Sequence, residues 1–164
     1  MKAIGQTDLI GEHGVRKSDL RIRLLGAIDE ASAALSLAKA FCSPENQERI
    51  EICQKNLSRM MGLLAALPKT PLSDYKACFA EELEALEAEN TGIEAGVSYP
   101  EAFIHPGQTP AAGALNLART IVRRAEREAV AAFEALNIPD ESMLQYLNRL
   151  STLCYLLILA EMPE

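Results

Sequence analysis

The chain has 164 residues, which fits a single domain covering 1–164, since domains run to about 100–200 residues. Hydrophobic residues make up 49% and charged residues 24%, a balance that excludes a disordered chain. Lys and Arg number 16 against 23 Asp and Glu, and the net charge of −7 argues against nucleic acid or an anionic membrane as partner.

Four cysteines, Cys42, Cys53, Cys78 and Cys154, stand in apolar, helix-like stretches without a Cys-x-x-Cys pair, and the histidines are His13 and His105. Neither a zinc site nor a disulfide framework fits that spacing, so reduced, buried thiols and no metal site are expected. The opening MKAIGQTDLI lacks the charged and apolar regions of a secretory leader. The longest apolar run, Leu153 to Ala160, falls well short of the roughly 20 residues that span a bilayer. A soluble, cytoplasmic protein is the expectation.

Strand signals are few, with no Asn-Gly or Asp-Gly turns, while Ala, Leu, Glu and Arg abound. Start and stop signals divide the chain into five helices. The first runs from about Ser18 to Cys42, capped by Ser18 or Asp19, with Leu24, Ile28, Ala31, Leu35 and Ala38 as its apolar stripe. Ser43-Pro44 supplies a cap and a first-turn proline for the second, which carries Ile50, Cys53, Leu57, Met60 or Met61, and Leu64 and ends before Pro68. A third helix opens at Ser73 and stops around Glu89, terminated by Asn90 and Gly92. The Gly- and Pro-rich stretch from Thr91 to Gln108 reads as an ordered loop, and loops of that length are usually functional. Thr109-Pro110 starts a long fourth helix to Leu136, and the fifth runs from Pro139-Asp140 to about Glu161. The predicted fold is all-α, an antiparallel five-helix bundle around a four-helix core.

Two polar stripes exceed what a plain bundle needs. The fourth helix has an apolar seam of Leu115, Ala118, Val122, Ala125 and Ala129, and it also sets Arg119, Arg123 and Arg127 four residues apart. Like charges at that spacing cost a helix roughly 0.2–0.5 kcal/mol per pair. An anion lying against the row would offset this, and arginine suits bidentate contact with phosphate. A solvated face relieved by Glu126 and Glu128 is the alternative. On the fifth helix Asn148, Ser151, Thr152 and Tyr155 share a face opposite Leu147, Leu150, Cys154, Leu157 and Ile158. The first helix places Asp29 and Glu30 amid apolar residues, with the arginines of the fourth as candidate partners. Its Gly26 costs about 1 kcal/mol relative to alanine, which close packing or ligand approach would justify.

Four blocks carry a specific resemblance: GQTDLIG (5–11), RKSDLRIRLLGAIDEASAALSLA (16–38), FIHPGQTPAAGALNLARTIVRRAER (103–127) and YLNRLST (146–152). In order and spacing they resemble the PduO-type ATP:cob(I)alamin adenosyltransferases, over about two-fifths of the chain. The resemblance implies a homotrimer of five-helix bundles that binds ATP, with Mg2+, and a corrinoid at each subunit interface. It implies transfer of the 5′-deoxyadenosyl group from ATP to Co(I), giving adenosylcobalamin and triphosphate. Gly5, Thr7, Lys17, Arg123, Glu126 and Asn148 would then hold ATP. Arg123 would meet the triphosphate, Arg119 would pair with Asp29 across the interface, and Phe103 would block the lower face of the corrinoid. A reductase or a cobalamin-dependent enzyme would be a further partner.

The chain also departs from that family. Lys2 and Ala3 stand where its nucleotide loop has Gly and Asp, His105 replaces Leu, Gln108 replaces the second Gly, and Thr152 replaces Asp. These changes bear on ATP more than on corrinoid. The alternatives they leave open are a non-catalytic corrinoid- or nucleotide-binding homologue serving as carrier, sensor or assembly subunit, or a helical trimeric interaction protein.

Overall fold

The computed structural model describes residues 4–67, 77–102, 104–139 and 141–162. A β-hairpin of β1 (Gln6–Leu9) and β2 (Glu12–Arg16) precedes α1 (Leu20–Lys39), α2 (Pro44–Ala65), α3 (Ala80–Glu94), α4 (Pro110–Leu136) and α5 (Ser142–Ala160). The fold is the expected all-α five-helix bundle. The hairpin is an addition that the sequence did not announce.

Side-chain caps set two of the helix starts. Asp19 accepts from the backbone N–H of Arg21 at 2.9 Å, and Thr109 accepts from that of Ala112 at 3.0 Å, just ahead of Pro110. Ser43 sits at the cap position of α2 but does not cap it. Its N–H and hydroxyl both donate to Glu161 Oε1 at 2.8 Å, so the carboxylate at the end of α5 takes up the donors there. Asn137 ends α4 in the left-handed conformation at φ 54°, as a C-terminal Asn can.

The expected stop of α3 at Glu89 is wrong. Asn90 is buried and donates to the carbonyl of Arg149 at 3.1 Å, and Ile93 is buried one turn on. Packing against α5 therefore carries the helix through Asn90 and Gly92 to Glu94. Its expected opening at Ser73 lies outside the described residues, as does Asp140; the described part of the helix starts at Ala80.

Helix α4 packs on both α1 and α5, α2 packs on α1, and α3 packs on α5. Arg23 meets Glu128 at 2.9 Å and Arg124 meets Glu30 further along, so α1 and α4 run antiparallel. The apolar stripes expected on α1, α4 and α5 are buried throughout, and Tyr146 and Phe79 join them, their rings edge to face at 5.0 Å. Helix α5 has 19 residues and is the one described helix long and apolar enough to cross a membrane, yet it supplies the centre of this core. Cys42, Cys53 and Cys154 are buried and Cys78 half-buried, all as thiols rather than disulfides. Desolvation pushes Cys42 and Cys53 up to about 12, which keeps them protonated and unreactive.

Candidate functional site

The hairpin gathers the N-terminal candidates. Thr7 pairs with Val15 and Gln6 with Arg16, and the N–H of Lys17 donates to the carbonyl of Gly5 at 2.9 Å. Gly5 and Gly11 adopt φ of 82° and 79°, where a side chain would be strained, and Gly11 closes the Ile10-Gly11 turn. Gly5, Thr7 and Lys17 thus lie together at one end of a two-stranded ribbon. Four- and five-residue strands with a bulge between Thr7 and Leu9 leave too little alternation to be read from sequence.

The hairpin is fastened to α1 by a residue that the sequence reading passed over. Arg21 Nη1 and Nη2 donate to Glu12 at 2.7 and 3.4 Å, while Nε and Nη2 donate to Asp19 at 3.0 and 2.8 Å. Hydrogen bonding to Arg21 outweighs burial and holds the Asp19 carboxyl below its usual range. An Asp-x-Arg step at a helix start, with an acid on the preceding strand, was the available signal.

On α4 the arginine row is held unevenly. Arg119 donates to Asn116 Oδ1 from Nε at 3.2 Å and Nη2 at 3.0 Å. Arg127 donates to the carbonyl of Arg123 at 3.0 Å. Arg123 itself is exposed and forms no ion pair among the described residues. The acids that a solvated-face reading would use are engaged elsewhere. Glu126 accepts from Asn148 at 2.8 Å, Glu128 takes Arg23, and Glu30 takes Arg124. Asp29, next to Glu30, is exposed with no ion pair among the described residues.

A cavity of about 370 Å³ opens between the loop after α3 and the polar faces of α4 and α5. Ala102, Ile104 and His105 line it from the loop, Asn116 and Arg119 from α4, and Tyr155 from α5. Phe103 lies outside the described residues; the residues on either side of it border this space. Tyr99 packs its ring on Tyr155 at 6.3 Å and donates its hydroxyl to Glu94 at 2.7 Å, a bond that raises its pKa. Ser151, expected on the polar face, is buried and donates to the carbonyl of Asn148 at 2.8 Å.

Within one chain the structure joins Glu126 with Asn148, Gly5 with Lys17, and Arg119 with the loop cavity. No hydrogen bond or ion pair of Gly5, Thr7 or Lys17 reaches α4 or α5 among the described residues. An added Cβ at Gly26 would meet nothing within 4 Å, so close packing inside the chain does not account for that glycine.

The model of the family described as cobalamin adenosyltransferase matches residues 3–161. The corrinoid adenosyltransferase PduO of Salmonella typhimurium is 35% identical over 158 residues, which is 96% of this chain and 47% of that protein. The chain therefore spans about half the length of that relative and of the PduO of Citrobacter freundii. The corrinoid adenosyltransferase of Bacillus subtilis is 37% identical over 153 residues, 90% of this chain and 76% of that one. Among solved structures, a phenylalanine-to-histidine variant of the PduO-type ATP:corrinoid adenosyltransferase of Lactobacillus reuteri, complexed with cobalamin and ATP, superposes with a TM-score of 0.80. It is 30% identical, with 94% of this chain and 84% of that chain covered. An arginine-to-lysine variant complexed with ATP gives the same TM-score at 29% identity, with 95% and 88% covered. The chain belongs to the cobalamin adenosyltransferase family.

Proposed function

We propose that the chain, acting as a single domain over 1–164, transfers the 5′-deoxyadenosyl group of ATP to the Co(I) of a corrinoid. A cobalt–carbon bond forms at C5′ while the C5′–oxygen bond breaks, and triphosphate leaves with the electron pair. No proton needs to move at the reacting atoms. The protein's work is then to align donor and acceptor and to stabilise the charge on the leaving group.

The observation that carries this reading is the state of Arg123. It stands on a row of cations without an ion pair among the described residues, while Glu126, Glu128 and Glu30 are all engaged by other groups. A guanidinium left open in this way is suited to a polyphosphate. In this reading Gly5, Thr7 and Lys17 hold phosphate from the hairpin, and the Glu126–Asn148 pair holds the nucleotide from α4 and α5. Mg2+ would arrive on the ATP phosphates. The corrinoid would enter the loop cavity beside Arg119 and Tyr155, with Phe103 against its lower face.

The open position of Asp29, the bare Gly26 and the separation of the hairpin from Arg123 support a homotrimer in which a neighbour completes each site and Asp29 meets Arg119. The chain would work in the cytoplasm, with a reductase or a cobalamin-dependent enzyme as a further partner. Mixing the protein with cob(I)alamin and ATP and following the absorbance spectrum tests the activity. Appearance of adenosylcobalamin is expected; a spectral shift without turnover would favour a carrier, and no change an interaction scaffold.

A further inference from the structure

We propose that Arg21 is a positioning residue for nucleotide binding, a clamp that keeps the hairpin in its ATP-competent place without touching ATP. The inference rests on reading the hairpin as the nucleotide-binding element. A two-stranded ribbon is marginally stable alone. Among the described residues β1 pairs with β2 alone, and the buried side chains of the ribbon, Leu9 on β1 and Val15 on β2, stand apart from the main core of the bundle. The N–H of Asp19 donates to the carbonyl of Arg16 at 2.9 Å where the ribbon enters α1, and the Arg21 guanidinium, its side chain only 15% exposed, ties β2 to that helix start through Glu12.

The geometry of that guanidinium assigns the role. One edge meets Glu12 on β2 and the other meets Asp19, whose same carboxylate caps α1 through the N–H of Arg21. The planar fork spans two carboxylates at once, which makes the link directional as well as strong. Glu12 lies beside the Ile10-Gly11 turn, opposite Leu9, so the clamp fixes the closed end of the ribbon. Gly5 and Lys17, joined by a backbone hydrogen bond, form its open end. Holding the closed end against α1 therefore sets the direction in which Gly5, Thr7 and Lys17 are presented.

The test measures KM for ATP and kcat with cob(I)alamin for the full chain and for Arg21→Gln, Arg21→Lys and Glu12→Gln. Hydrogen exchange of residues 5–17 is followed with and without ATP. If the unclamped hairpin is competent about one-tenth of the time, KM for ATP rises about tenfold while kcat at saturating ATP holds. Arg21→Lys gives most of the same rise, because an ammonium group lacks the fork that reaches both carboxylates. Glu12→Gln leaves the α1 cap in place, so a raised KM there at an unchanged melting temperature supports the clamp even if Arg21→Gln folds poorly. A wild-type KM in Glu12→Gln, or a fall in kcat at unchanged KM, overturns it. Failure of the underlying nucleotide reading has its own signature: ATP then protects no hairpin amide in the wild type, and the clamp falls with it.

Discussion

Arg127 lays its guanidinium on the backbone carbonyl of Arg123, 3.0 Å away and one turn earlier on α4, while the side chain of Arg123 stays open. Two cations of one row are thus held in different states. Arg123→Ala should lower ATP-dependent turnover by about 10²–10³, the usual cost of losing one contact to a developing anion. Arg127→Ala should change turnover little, since exposed charges of this kind contribute little. Steady-state kinetics on both variants, each checked for assembly and melting temperature, decides the matter; equal, small effects would remove Arg123 from the site.

The proposed trimer makes a prediction about mixtures. Asp29→Ala and Arg119→Ala should each be impaired alone. In mixed trimers, some interfaces would pair an intact Asp29 from one subunit with an intact Arg119 from its neighbour. Co-refolding the two variants should therefore restore part of the turnover. Sedimentation of the wild type as a monomer, or mixtures as inactive as their parents, would sink the arrangement.

Asn148 and Glu126 should respond unequally to substitution. Glu126→Gln keeps a carbonyl oxygen that can accept from the Asn148 amide, so its effect on ATP affinity should be small. Asn148→Ala removes both the donor to Glu126 and whatever the amide presents to the nucleotide, and should weaken ATP binding by about tenfold, or roughly 1.4 kcal/mol. Calorimetric titration with ATP compares the two directly.

Acid should loosen the far end of the bundle through Glu161. Burial there disfavours the charge, but hydrogen bonds from Asn46 and from the Ser43 N–H and hydroxyl outweigh it and lower the pKa. A carboxylate with a depressed folded pKa stabilises the fold above its unfolded value, near 4.3, and loses that contribution as pH falls through the folded value. Glu161→Gln should lower stability by about 1 kcal/mol at neutral pH. Its melting temperature should also fall less than that of the wild type between about pH 5 and about pH 3. Parallel acid limbs for the two proteins would contradict this.

The helices were legible because burial follows a 3.6-residue period: Leu24, Ile28, Ala31, Leu35 and Ala38 form the buried stripe that their spacing implies. Boundaries governed by tertiary contacts were not. Asn90 looks like a stop until Arg149 offers it a carbonyl, and Ser43 looks like a cap until Glu161 takes its hydroxyl. Within the site, the row of Arg119, Arg123 and Arg127 is visible from spacing alone. What leaves Arg123 open does not show from spacing: Asn148 and Arg23, which come from other elements, take up Glu126 and Glu128. The hairpin was hidden for a simpler reason: its strands are too short to establish a period, and Arg21 ties them down from outside.

Glu161 also bears on how the chain is made. Its carboxylate serves Ser43 and Asn46, 118 and 115 residues earlier, and its carbonyl accepts from the hydroxyl of Thr109, which begins α4. The starts of two helices therefore wait for a residue synthesised 118 positions after Ser43 and 52 after Thr109. Until Glu161 clears the ribosome, α2 has a proline start without its borrowed acceptor, and α4 has its own cap without its anchor. The emerging chain has to hold these ends open until α5 has been made, and that side of the bundle closes only once all five helices are present.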